Sequence, residues 1–324
     1  MGVGPNAIRQ TSHGSEGILM RYLLLIALML SPLAAKAQDG AAWWAVMEDE
    51  GGGDPYTPES EAGLSTWMCA DDGYVYTDTA GTTGANQGES VRRWNARDAN
   101  ADYATGEQAN RLPEYSSDSP VGNIVKVIAS PFTGADIAFA STNIDGLTSS
   151  QTKVGVYAVW KDGDPLAGDA IHTVFFHSKG NSTALARIAI FSRLSGVYQV
   201  QYRVDDADAG TSISHGAIET NRWYISSMIL DYSAQSVVSY LDGQDATTNT
   251  TISATSDADD SLLTRIFSRA TNADRMPTNS ALAEVVLVQG DQDRRKMEGY
   301  LAWARGLEGN LPIGHPYKNA PPTQ

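Results

Sequence analysis

Residues 197–204 read Val-Tyr-Gln-Val-Gln-Tyr-Arg-Val. Tyr198, Val200, Tyr202 and Val204 fall on one side of an extended chain, and Gln199, Gln201 and Arg203 on the other. A period of two marks a half-buried strand, with one face on a core and one toward water. Outward from this stretch, β-type runs recur at Ile124 to Ala129, Val154 to Trp160, Thr173 to His177, Ala184 to Ser192, Trp223 to Asp231, Val237 to Leu241 and Leu282 to Val288. Turn-rich clusters separate them, the spacing of an antiparallel sandwich or barrel. Two of these runs flank Tyr232 to Gln235, and Asp242-Gly243 follows as a tight turn, so the segment reads as a hairpin. No βαβ alternation appears, which removes the doubly wound folds and their dinucleotide sites.

One helix is expected, from about Gln292 to Ala304, with Asp291 placed to cap its first turn and Gly306 just beyond its end. Met297, Tyr300, Leu301 and Ala304 follow the i, i+3, i+4, i+7 spacing of a packing stripe. Leu311 to Gln324 holds four prolines and is expected to run extended over the surface. At the other end, Met20 to Ala37 has a basic Arg21, an apolar run, Pro32 and the small-x-small site Ala35-Lys36-Ala37, the grammar of an export signal. The apolar run is shorter than the roughly 20 residues a spanning helix needs, so no stable membrane span is expected after cleavage. The expected organisation is therefore a signal over 1–37, with Met20 a candidate start, and a Gly-, Pro- and acid-rich lead-in over 38–62. One domain over 63–317 and a tail over 318–324 complete it.

Composition narrows the function. With 42% hydrophobic and 19% charged residues the chain lies in the ordinary globular range. Its 23 Lys and Arg against 38 Asp and Glu give a net charge of -15, which argues against nucleic acid as a partner. The single cysteine, Cys69, excludes an intrachain disulfide framework and reads as a small buried hydrophobe.

Two further sets of residues carry a resemblance. Arg294 to Trp303, then Gly306-Leu307, Leu311-Pro312 and His315-Pro316-Tyr317, resemble the ending of bacterial and phage concanavalin A-like, laminin-G-like jelly-roll domains. Gly63-Leu64-Ser65-Thr66-Trp67, Asp71-Asp72-Gly73, Val91-Arg92-Arg93-Trp94 and Arg111-Leu112-Pro113-Glu114-Tyr115 are similar to the opening of the same domains. The opening departs from the pattern at Ala96, where an aspartate is usual. The resemblance implies an all-β, two-sheet antiparallel jelly-roll sandwich with one C-terminal helix and an extended Pro-rich tail.

That fold hosts lectins, glycosidases, lyases and structural parts, so function must come from sites. The alternating carboxylates of jelly-roll glucanases are absent, since Glu48-Asp49-Glu50 is consecutive and lies in the lead-in. A lyase would want a cationic groove and a Tyr/His pair, for which His172 and His177 are the nearest candidates. No H-E-x-x-H, G-x-S-x-G or phosphate loop occurs. The leading expectation is an exported, non-catalytic carbohydrate-binding module whose partner is a glycan or polysaccharide, secreted or periplasmic. The alternative is a structural or adhesion part, such as a virion decoration or tail-fibre domain, that self-associates or docks to a particle.

Sugar binding relies on an aromatic face with amide, carboxylate or guanidinium groups nearby. Trp160 beside an acidic loop, Trp223, and the pair Asn272 and Arg275 are the candidates. Calcium is the one cofactor that composition suggests, because it needs hard oxygen ligands in acidic loops. Asp162, Asp164 and Asp169 form the first such loop; Asp205, Asp206 and Asp208, and Asp257, Asp259 and Asp260, form two others.

Overall fold

In the computed structural model the described residues are 54–98, 100–106, 112–127, 139–141, 144, 147–163, 171–178, 186–194, 197–203, 211–249, 252, 263–268 and 276–324. The expected signal segment, 1–37, lies outside them, as do Trp43, Trp44 and the acidic run at 48–50. In chain order the first strands are β1 (Leu64–Cys69), β2 (Val75–Tyr76), β3 (Arg93–Asn95), β4 (Tyr103–Gly106), β5 (Glu114–Asp118), β6 (Gly122–Lys126), β7 (Phe139–Ser141), β8 (Lys153–Lys161) and β9 (Ile171–Ser178). They are followed by β10 (Ala186–Leu194), β11 (Val197–Tyr202), β12 (Thr211–Gly216), β13 (Trp223–Asp231), β14 (Ser236–Leu241), β15 (Gln244–Asn249), β16 (Leu263–Ile266) and β17 (Ala281–Gln289), then the helix α1 (Arg294–Ala304).

The strands form two antiparallel sheets. An eight-stranded sheet runs β15-β14-β13-β8-β17-β6-β5, with β1 paired to β17, and a nine-stranded sheet runs β12-β11-β10-β9-β16-β7-β4-β3-β2. The main core lies between them, where Trp160, Val156 and Met228 of one sheet meet Tyr198, Val200, Ile190 and Phe175 of the other. Each run read from the sequence overlaps a strand, although β6 ends at Lys126, β11 ends at Tyr202, and residues 128–129, 184–185 and 204 of the expected runs lie outside the described residues. The alternation in β11 is visible in its burial: Tyr198, Val200 and Tyr202 are buried while Gln199 and Gln201 are half-buried. One part of that reading changes. Arg203, expected to meet water, is buried at 7% exposure.

The hairpin β14–β15 turns on Asp242 and Gly243, both with positive φ (53° and 71°). That is the backbone of a type I′ turn, whose twist matches the flanking strands.

A second core lies on the outer face of the eight-stranded sheet. There α1 sets Met297, Tyr300 and Leu301 against Trp67, Cys69, Tyr157 and Val286. Cys69 is free and fully buried, as expected of a small hydrophobe. The helix cap differs from expectation: Asp293, not Asp291, accepts a hydrogen bond from Lys296 N at 3.0 Å. Asp291 instead pairs with Lys153 at 2.9 Å, and the helix starts two residues later than expected.

Prolines keep the C-terminal tail out of regular structure, yet it is anchored. Leu311 and His315 are buried, His315 Nε2 lies 3.3 Å from Glu298 Oε2, and Trp303 Nε1 donates to the Tyr317 carbonyl at 2.8 Å. The tail then meets the lead-in, where Tyr56 N donates to Pro322 O and Gln324 N to Asp54 O. Among the described residues, no helix is long and apolar enough to cross a membrane.

The motif residues of the two ends converge. Trp67 Nε1 donates to Glu284 Oε1 at 2.6 Å, and Arg305 Nε donates to Glu284 Oε2 at 2.8 Å. Arg305 also reaches Asp71 at 3.2 Å, and the Trp67 and Tyr300 rings meet edge to face at 5.9 Å. Tyr115 donates to Asp72, and Trp94 Nε1 donates to the Cys69 carbonyl at 2.8 Å. Ala96 is itself buried at 7% exposure. These residues tie β1, β17 and α1 together, so their work is structural.

Candidate functional site

The tryptophan expected to stack on sugar is inside the sandwich. Trp160 is fully buried, donates to Ser226 Oγ at 2.9 Å, and has the Tyr198 and Tyr224 rings stacked against it at 5.7 and 5.1 Å. With no exposed surface it offers a sugar nothing to stack on. A corrected reading follows from the pleat: Trp160 and the even-numbered residues of β8 face the inter-sheet core. Trp223 is only 6% exposed and packs in the second core, with Lys161 Nζ at 5.4 Å from its ring. Asn272 and Arg275 lie outside the described residues.

The calcium candidates divide in the same way. Asp162 is fully buried, and its Oδ1 already accepts from Ser192 Oγ at 2.9 Å and lies 3.0 Å from His172 Nδ1. Asp164, Asp169 and the acidic loops at 205–208 and 257–260 lie outside the described residues. Among the described residues no group of three His, Cys, Asp or Glu is placed to hold a metal. The two histidines weighed for proton transfer are also fully buried. His177 is pushed down to about 3 by burial and by the charge of Arg187.

A different surface emerges from the registers. Residues directly opposite one another in paired strands share a face. Following the pairs across the nine-stranded sheet gives one file: Ser212, Gln201, Ala189, Phe176, Arg265, Ala140, Thr105, Arg93 and Tyr76. Because Val200 and Tyr202 point inward, this file lies on the outer face. Its middle is buried, with Phe176 and Ala189 packed together. Its two ends are half-exposed.

At the β11–β12 end, Gln199 Nε2 donates to Ser214 Oγ at 2.7 Å, and the Oε1 atoms of Gln199 and Gln201 are buried without a hydrogen-bond partner among the described residues. At the β2–β4 end, Arg93 lies over the Tyr103 ring, 3.7 Å from its centroid, with Tyr76, Asn95 and Thr105 beside them. The inward neighbours Val75, Trp94 and Ala104 are core residues that hold this patch in place. Arg93 Nε donates to Asn95 Oδ1 at 2.6 Å, and Nη1 to the carbonyls of Thr79 and Ala80. A stacked aromatic–guanidinium pair beside amide and hydroxyl groups is the equipment of a polar-ligand face.

The sequence reading missed this patch. Its strands are two to four residues long, too short for periodicity to register, although Arg93 and Asn95 alternating about Trp94 is the trace they leave.

No family model matches the chain, and neither does any curated protein. Among solved structures it is similar to the binding domain of botulinum neurotoxin serotype D, at 9% identity and TM-score 0.48 over 71% of this chain and 49% of that one. It is also similar to botulinum neurotoxin type C, whose cell entry is described as dependent upon interaction with two ganglioside molecules, at 12% identity and TM-score 0.44 over 75% of this chain and 51% of that one. The Ruminococcus gnavus IT-sialidase CBM40 bound to alpha2,3 sialyllactose matches at 9% identity and TM-score 0.38 over 48% and 84%. The chain spans about half the length of the two neurotoxin structures. At TM-scores below 0.5, the ligands of those proteins do not transfer to this one.

Proposed function

We propose that this chain is an exported, non-catalytic carbohydrate-binding module of the concanavalin A-like type, with its ligand face on the outside of the nine-stranded sheet. The observation that carries the reading is the Arg93–Tyr103 stack, half-exposed and flanked by Tyr76, Asn95 and Thr105. Sugar rings present C–H faces that settle on aromatic surface, and hydroxyls that pair with amides and guanidinium N–H groups.

The test is a glycan-array screen of the purified full chain, with calcium and again with chelator. A Tyr103→Ala variant is expected to lose about tenfold in affinity for any hit, the effect of removing ~1–1.5 kcal/mol of ring contact. Unchanged binding by that variant would remove the β2–β4 patch from the site, and a hit lost with chelator would place calcium in it. Silence across the array would favour self-association or particle docking.

A further inference from the structure

The charge of the nine-stranded sheet sets it apart from the rest of the protein. The chain carries 38 acidic residues, yet none of the nine strands contains an Asp or a Glu. The eight-stranded sheet, by contrast, has Glu114, Asp118, Asp231, Asp245 and Glu284 in its strands. Among the described side chains of the acid-free sheet, Arg93 is the half-exposed cation, since Arg187 and Arg265 are buried. All its hydrogen-bond partners are neutral oxygens, and no carboxylate lies within ion-pair distance of it. Its Nη2 makes no hydrogen bond, which leaves a donor edge of the guanidinium unused.

Among the described residues Lys126, Arg295 and Lys318 also have no ion pair, but unlike them Arg93 lies over an aromatic ring on a sheet whose strands carry no acid. We propose that Arg93 is left unpaired to receive a carboxylate of the ligand, so that the face takes a glycan bearing uronate-type charge. The inference rests on the carbohydrate reading above. A guanidinium edge matches a carboxylate in geometry as well as charge, and the Tyr103 ring beneath it fixes its plane. Nucleic acid is the less suitable polyanion, since dense phosphates need many cations together. One guanidinium beside two tyrosines instead suits charges spaced one per sugar ring.

The experiment titrates the full chain with polygalacturonate, with its fully methyl-esterified form and with polyglutamate, at low and at high salt. The expected result is binding of polygalacturonate about tenfold tighter than of the ester, weakened by salt, with polyglutamate weaker than both. Arg93→Gln should abolish the preference for the acid, and Arg93→Lys should keep part of it, with circular dichroism confirming the fold of each. If Arg93→Gln does not fold, the salt dependence and the ester comparison on the unaltered chain still decide. Equal or better binding of the ester would overturn the charge assignment and leave the carbohydrate reading standing. Polyglutamate binding as tightly as polygalacturonate would overturn the sugar component, and glycan-array silence would overturn the reading beneath both.

Discussion

Glu284 of β17 and Arg305, just past the end of α1, form an ion pair at 2.8 Å in which both side chains are buried. Burial holds the Glu284 carboxyl above the usual carboxylate range, and Arg305 opposes that shift. Removing one member of such a pair strands the other charge without water. Arg305→Met is therefore expected to cost ~3–5 kcal/mol in urea denaturation. The double variant Glu284→Leu/Arg305→Met should recover much of that loss, and a double variant as unstable as the single would show that the pair is not the source.

Trp160 fills the inter-sheet core rather than a binding surface. Trp160→Ala should cost ~3–5 kcal/mol in stability through the cavity it opens. Trp160→Phe should cost less, because it keeps most of the ring volume while losing the bond to Ser226. Thermal melts give the ranking. A Trp160→Ala chain that melts like the parent would contradict its core placement.

Asp242 sits in the type I′ turn with its carboxyl buried, accepting from Ile225 N at 2.9 Å and from Arg222 at 2.8 Å. Burial pushes it up to about 6, against 3.8 for the exposed group, with those partners opposing. Between pH 3.8 and 6 the folded chain then holds more proton than the unfolded chain. This group's contribution to stability is present below that window and falls as pH rises through it, by up to ~3 kcal/mol. Asp242→Asn, which tolerates the positive φ, should flatten the stability profile from pH 4 to 6. A profile parallel to that of the parent would assign the slope to another group.

Gly163 leaves β8 beside the backbone of residues 278–280. A Cβ there would stand 1.9 Å from the Thr278 oxygen and 2.4 Å from Ser280 N. Backbone atoms cannot yield as a flexible side chain would, so Gly163→Ala should destabilise by about 3 kcal/mol in chemical denaturation. An unchanged midpoint would mean that the Thr278–Ser280 turn moves aside freely.

The fold was legible to unequal degrees. Long central strands such as β8, β13 and β17 carry enough apolar residues for the run itself to declare them. Strands β12 and β15, Thr-Ser-Ile-Ser-His-Gly and Gln-Asp-Ala-Thr-Thr-Asn, carry almost none, because sheet edges are held by backbone pairing more than by apolar burial. The binding candidates fared worse than the elements. An aromatic residue beside acidic residues describes both a sugar platform and a core ring next to a turn, and local composition does not separate them.

What the sequence determined by itself is whatever short-range chemistry controls: the period of two in Val197 to Val204, the Asp242-Gly243 turn, the buried stripe of α1, and a single inert cysteine. Tertiary structure decided which faces are covered. It put Trp160 between two sheets, brought Trp67, Glu284 and Arg305 together from distant positions, and aligned nine strands so that an acid-free face ends in Arg93 over Tyr103. Exposure and charge pairing are properties of neighbours in space, and those neighbours are supplied by strands far apart in the chain.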